Sequence, residues 1–266
     1  RQMCIRDSFH TFFAAKIVRR NKMKVELIAH TPNPEKAVAC AAKLCYSACS
    51  IDEISDSLEA EKAASFVEML MKLGHQSPLE HITFTFAIEG VSRTLLAQLT
   101  RHRIASYSVQ SQRYVKSAGA EYVIPPEIEK IPEAKAEFER MMLEAKKSYD
   151  NLTEILTKHY GSDDKKTEKK AIEDARYVLP NAWSTKLICT FNARSLLNFF
   201  SHRCCNRAQW EIRNLANKMF KLVYEVAPSV FENAGPSCLR GACSEGKMTC
   251  GEAVKIKKIF SDMKSN

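Results

Sequence analysis

Residues 184–203 read STKLICTFNARSLLNFFSHR, and they change periodicity without a break. Ser184 to Phe191 carries the β-branched and aromatic residues of a strand. Asn192 is suited to cap a helix, because its side-chain oxygen can accept a backbone N–H that the first turn leaves unpaired. Leu196, Leu197, Phe199 and Phe200 then supply a side to bury, while Arg194 and Asn198, four apart, share a polar side and Arg203 closes the element. An arginine or amide beside so much apolar surface is costly without a partner, whether that partner comes from the chain or from a ligand.

The same strand-into-helix pattern occurs upstream. ITFTFAIEG (Ile82 to Gly90) alternates as a strand, and Ser92 can cap the helix after it. Leu95, Leu96 and Leu99 bury one side of that helix, with Gln98, Arg101 and His102 on a neighbouring side. From Met23, KVELIAHT reads as a short strand stopped by the turn Thr31-Pro32-Asn33-Pro34. Helices are predicted over Glu35–Tyr46, from about Leu58 to Leu73 with Gly74 to end it, over Pro132–Tyr160, over Thr167–Val178 with Arg176 near its end, and over Ala208–Val226. YVIPP (Tyr122 to Pro126) is predicted as a short strand-like piece.

Between the second strand and the long helix lies RHRIASYSVQSQR, Arg101 to Arg113. It holds three arginines, one histidine, four hydroxyls, two amides and no acid. Arginine stays protonated and offers a rigid fork that matches phosphate or carboxylate oxygens, and Ser and Gln add neutral donors. A solvated basic loop is the plain alternative, although such a loop more commonly mixes Lys and Glu than Tyr, Val and Ile. His75, Glu80 and His81 in GHQSPLEH invite a metal reading, but Pro78 interrupts the spacing that a zinc-binding helix needs. His75 and Ser77 suit the edge of a ring ligand better.

The chain has 266 residues, of which 45% are hydrophobic, ample for a packed core. Of its formal charge of +9, residues 1–22 supply +5 through six basic groups against one acid, so the remainder is mildly basic. Those residues read as an N-terminal extension, and residues 23–236 as the functional domain. Residues 237–266 form a tail bearing Cys238, Cys243 and Cys250. No run approaches the roughly 18 apolar residues of a membrane span, which predicts no membrane partner. Ten cysteines without a secretion signal predict reduced thiols and a cytoplasmic setting. The tail cysteines with Cys204 and Cys205 lack paired C-x-x-C knuckles, so no metal is assigned to them. There is no P-loop and no G-x-G-x-x-G, and only eight glycines, so phosphate binding falls to side-chain arginines.

Arg101-His102-Arg103 followed after seven residues by Ser111 resembles the signature of the flavin-dependent thymidylate synthases, the family called ThyX. GHQSPLEH, RYVLP, NARSLLNF and RAQWEI fall in that family's order and spacing, from Met23 to about Pro236. The resemblance implies an α+β fold with a central, mostly antiparallel sheet flanked by helices and a long helical insertion. It implies a homotetramer with active sites at subunit interfaces and methylation of dUMP to dTMP. FAD is the implied cofactor, with NADPH and 5,10-methylenetetrahydrofolate as co-substrates.

Carried over by position, His75, Ser77, Arg101, His102, Arg103, Val109, Asn192, Arg194 and Asn198 are implied flavin contacts. Gln98, Arg101, Gln110, Ser111, Gln112, Arg113, Arg176 and Arg203 are implied dUMP contacts, with Ser111 and Arg113 near the phosphate. Arg203 resembles the residue that acts on the uracil ring. Some members carry Glu where this chain has Val109, and Gln110 or backbone groups can substitute there. None of the ten cysteines follows a proline, so the thiolate route of the other thymidylate synthases has no counterpart. The rival readings are a nucleic-acid-binding protein, which the pI near 9.0 motivates, and a flavoprotein acting on another nucleotide.

Overall fold

The computed structural model describes residues 22–117, 121–161 and 164–265. Residues 1–21 of the predicted extension lie outside them. Two compact units divide the described chain, residues 22–110 with 184–265 and residues 111–183.

In chain order the first unit opens with β1 (Lys24–His30), α1 (Pro34–Leu44), α2 (Ile51–Asp56), α3 (Ala60–Leu73), β2 (Thr83–Ser92), α4 (Arg93–Leu99) and β3 (Ser106–Val109). The second unit contains α5 (Pro126–Lys130), α6 (Pro132–Tyr160) and α7 (Lys165–Ala175). The chain then re-enters the first unit through β4 (Ser184–Asn192), α8 (Ala193–Arg203), α9 (Trp210–Val226), α10 (Pro228–Phe231) and α11 (Ala253–Ser265).

The first unit is built on a four-stranded sheet in the order β1-β2-β4-β3, with every pair antiparallel. The architecture is the expected mixture of helices and an antiparallel sheet. Strands alternate because one face is buried: Phe84, Phe86 and Ile88 of β2 and Leu187, Cys189 and Phe191 of β4 point into the core. α8 and α9 supply the opposing Leu196, Phe199, Phe200, Leu215, Met219 and Phe220, all at 0% exposure. Each such side chain contributes about 1.5–3 kcal/mol on burial. Gly90, at φ 72°, sits where the β2–β4 register slips between Glu89 and Val91, a backbone conformation that a side chain would resist.

Both predicted caps form. Ser92 Oγ accepts from Leu95 N–H at 3.0 Å, and Asn192 Oδ1 accepts from Ser195 N–H at 2.8 Å. Gly74 ends α3 in the left-handed region at φ 77°, and its exposed setting leaves a helix end free to turn. Other expectations are corrected. YVIPP forms no strand, only a bridge between Tyr122 and Trp183, because Pro125 and Pro126 lack the N–H a ladder requires. Ser106 to Val109, inside the arginine-rich segment for which no strand is predicted, is the edge strand β3. The tail carries α11, whose Phe260 lies 4.9 Å from Phe220 and is buried with Ile256.

The second unit has its own small cores. Tyr122, Met142 and Trp183 form one, and Tyr149, Ile172 and Ala175 the other. Trp183 Nε1–H donates to Ser117 Oγ at 2.6 Å, which satisfies the indole where it is buried.

Candidate active site

The sheet register explains how two distant segments of the first unit meet. β2 and β4 run oppositely, with Thr83 across from Asn192 and Ser92 across from Ser184. α4 therefore starts at the Ser184 end and carries the chain back toward the Asn192 end, where Ser106 pairs with Thr190. Arg101, His102, Arg103 and Ile104 arrive beside the start of α8. Tyr107 fixes that return, its hydroxyl lying 3.0 Å from Leu99 O and 2.9 Å from His102 O.

The result is a cleft of about 1010 Å³. Arg101, His102 and Arg103 line it with Asn192, Arg194 and Asn198 of the β4–α8 junction. Six implied flavin contacts are thus brought together. His75 and Ser77 flank Gln76, which also lines the cleft. Val109 alternates inward with Tyr107 and packs against the core.

Arg203 lies at the end of α8 and reaches back to the cleft residues. Its Nε–H donates to His102 Nε2 at 3.1 Å. The His102 ring stands edge-on to Phe199 at 4.9 Å and 80°. Burial, then the charges of Arg203 and His202, push the His102 pKa down to about 4. The imidazole is therefore neutral at physiological pH and can accept at Nε2, with its proton on Nδ1. Burial and the nearby Arg101 charge lower the Arg203 pKa from its ordinary value.

Among the described residues, Arg101, Arg103 and Arg203 have no carboxylate partner. Arg194 does have one: its Nη1 meets Glu80. Both side chains of that pair are about half exposed, at 52% and 49%, so the pair is worth no more than about 1 kcal/mol and yields readily to a ligand. Like charges left unneutralised around a half-buried ring make the cleft a site for anions.

The remaining predicted residues lie elsewhere. Gln98 is half-buried on α4. Gln110 is held by its backbone, its N–H donating to Lys186 O and its O accepting from Arg93, each at 3.0 Å, and it lines a separate depression with Ser108 and Lys186. Ser111, Gln112, Arg113 and Arg176 belong to the second unit. There Arg113 grips Glu173 with Nε to Oε1 at 2.7 Å and Nη2 to Oε2 at 3.1 Å, and Arg176 Nε–H donates to Glu173 O at 3.0 Å. Two implied dUMP-binding arginines thus converge on one residue, Arg113 on its carboxylate and Arg176 on its backbone carbonyl.

Sequence reasoning missed Glu80 as a partner, and it missed Gln76, Asn233 and Arg240 as cleft residues. Arg240 comes from the tail, where its flanking Gly241 gave only a turn signal. It is anchored by Nη1 donating to Asn233 O and, at 3.3 Å, to Gly235 O. Cys238 is pushed up by burial and by Cys243, Cys205 and Cys250 nearby. Among the described residues no three His, Cys, Asp or Glu side chains are placed to share a metal ion, and no helix is long and apolar enough to cross a membrane.

The antiparallel α+β architecture carries a guanidinium-lined cleft whose size and charge suit a large anionic ligand. Residues 26–229 match the family model described as thymidylate synthase complementing protein. A flavin-dependent thymidylate synthase of Clostridium tetani is 56% identical over 241 residues, covering 90% of this chain and 97% of that one. One from Geobacter sulfurreducens is 49% identical over 243 residues, covering 91% and 99%. The chain belongs to the flavin-dependent thymidylate synthase family. Its fold is similar to that of a UMP/dUMP methylase, PolB, from Streptomyces cacaoi, solved with 5-Br dUMP, at TM-score 0.68 and 23% identity over 82% of this chain and 98% of that one.

Proposed function

We propose that this protein is a flavin-dependent thymidylate synthase that methylates dUMP to dTMP, with FAD as cofactor, 5,10-methylenetetrahydrofolate as carbon donor and NADPH as reductant. The observation that carries the reading is the set Arg101, Arg103 and Arg203, three guanidinium groups that have no carboxylate partner among the described residues, with Arg203 bonded to the neutral His102 imidazole. The cleft suits FAD: its cations match a diphosphate, its amides match ribityl hydroxyls, and Leu197 with Ile104, 72% exposed, offers apolar surface to a flat ring.

In this reading His75, Ser77, Arg101, His102, Arg103, Asn192, Arg194 and Asn198 hold the flavin, and Val109 keeps β3 seated beneath them. Gln98, Arg101, Gln110, Ser111, Gln112, Arg113, Arg176 and Arg203 hold dUMP. FAD held by the first of these sets and reduced by NADPH would supply the hydride that completes the methyl group. Arg203 places a fixed cation beside the uracil N3 edge and stabilises negative charge that develops as C5 becomes nucleophilic. An enzyme thiolate is not required. Burial pushes the Cys189 thiol up to about 12 and the Cys204 thiol higher than its ordinary value, which makes both poor nucleophiles.

Residues 23–236 form the catalytic domain, working as a homotetramer in the cytoplasm with active sites at subunit interfaces. The test is reconstitution with FAD followed by visible spectroscopy and NADPH oxidation with and without dUMP. A bound flavin spectrum with oxidation that responds to dUMP is expected. Failure to retain flavin would refute the reading.

A further inference from the structure

Resting on that reading, we propose that His102 is a positioning residue for Arg203: by accepting the Arg203 Nε–H it fixes the guanidinium so that its Nη1–Nη2 edge faces the pyrimidine.

A guanidinium presents two forks, one made of Nε and a single Nη, the other of the two Nη groups. Arg203 spends Nε on His102 Nε2 at 3.1 Å. Only the Nη1–Nη2 fork then keeps both donors for a ligand, and its direction is set by the ring. His102 is itself held by three contacts, one to its ring and two to its backbone. Phe199, fully buried one turn before Arg203 on α8, meets it edge-on at 4.9 Å. The His102 backbone N–H donates to Leu99 O at 3.1 Å, and the His102 carbonyl accepts from the Tyr107 hydroxyl at 2.9 Å. A cation of four rotatable bonds is thereby tied to a rigid strand-and-helix frame, at a point 101 residues away in sequence.

The acceptor must be neutral. A protonated imidazole would have no lone pair at Nε2 and would repel the guanidinium, and burial keeps the proton off. A carboxylate in the same place would neutralise Arg203 and blunt its effect on the pyrimidine, so a neutral acceptor both orients the charge and preserves it.

The test is a double-mutant cycle at saturating FAD and dUMP, read as kcat for dTMP, with flavin content and NADPH oxidation without dUMP measured on the same samples. His102→Leu, which cannot accept, should lower kcat by about 10- to 100-fold, the range for one bond to a charged group. His102→Gln, whose amide oxygen can reach the Nε2 position, should recover at least about 5-fold of the kcat that His102→Leu loses, compared at equal flavin content. In the Arg203→Ala background the Leu substitution should cost less than about 3-fold. Equal losses in both backgrounds, or Gln no better than Leu, would overturn the positioning role. Should the Leu variant not fold, His102→Asn replaces it, because its shorter amide reaches only the Nδ1 position; Asn matching Gln would also overturn it. A wild-type protein that makes no dTMP refutes the functional reading itself. Independently of turnover, 15N NMR of the ligand-free protein should show a slowly exchanging Arg203 Nε–H and a His102 ring protonated at Nδ1. A fast-exchanging Nε–H with Nε2 protonated would contradict the contact.

Discussion

Glu211 and Ser92 are joined twice: Glu211 Oε1 accepts the Ser92 backbone N–H at 2.7 Å, and Oε2 accepts its hydroxyl at 2.5 Å. Both are buried, at 2% and 3% exposure, and Ser92 caps α4 with the same hydroxyl oxygen. The first turn of α9 thus clamps the β2–α4 junction that delivers Arg101 to Arg103.

Removing that carboxylate leaves two buried donors unpaired, so Glu211→Ala should lower stability by about 2–4 kcal/mol in urea unfolding. Burial raises the Glu211 pKa, with the Ser92 bonds opposing it. A raised acid binds more protons folded than unfolded, so its contribution is full below the ordinary carboxylate range and is lost as pH rises through its folded pKa. The stability advantage of wild type over Glu211→Gln should therefore be larger near pH 4.5 than near pH 7.5. An advantage that grows with pH would refute this.

His102 works in the opposite sense. With its pKa at about 4 in the fold and about 6.5 unfolded, its contribution is present above 6.5 and is lost as pH falls toward 4. His102→Gln should flatten the acid limb of the stability profile over that window. The check is a series of urea midpoints for both proteins, and parallel curves would count against a buried neutral ring.

Glu173 holds Arg113 by both oxygens and Arg176 by its carbonyl. Glu173→Ala frees the Arg113 fork and should raise the KM for dUMP about 10-fold, equivalent to about 1.4 kcal/mol, with flavin content unchanged. Steady-state kinetics with a flavin absorbance ratio measures both. Loss of flavin with an unaltered KM would reverse the assignment of the two arginine groups.

Asn192 has two duties that substitution can separate. Its Oδ1 caps α8, and the residue lines the cleft, where its amide N–H groups are available as donors. Asn192→Asp keeps the cap but offers an anion in place of donors, so Tm should hold while FAD affinity falls. Asn192→Ala should lose about 1 kcal/mol of stability as well. Fluorescence titration and thermal unfolding distinguish the outcomes.

The two strand-to-helix junctions were legible because each writes its whole logic locally: a strand period, a capping side chain and a helical period, in that order. The cleft residues on those junctions were legible with them. β3 was not, since four residues with exposed serines carry too little alternation to stand out from an anion-binding loop. The six-residue α2 had a readable signal in its Ser50–Glu53 capping box, which the structure forms with Ser50 N–H donating to Glu53 at 2.8 Å. Arg240 reaches the cleft from a tail whose helix α11 packs Phe260 onto Phe220, a contact forty residues apart that no local pattern announces. The Arg203–His102 contact and the Arg113–Glu173 pair have the same non-local character.

The central claim is tested most directly by incubating the purified, FAD-loaded protein with dUMP, 5,10-methylenetetrahydrofolate and NADPH and separating the nucleotide products. dTMP that requires every component is expected, and an Arg203→Ala variant should retain flavin yet make little of it. An FAD-loaded wild-type protein that forms no dTMP, or an Arg203→Ala variant with unchanged turnover, would contradict the claim.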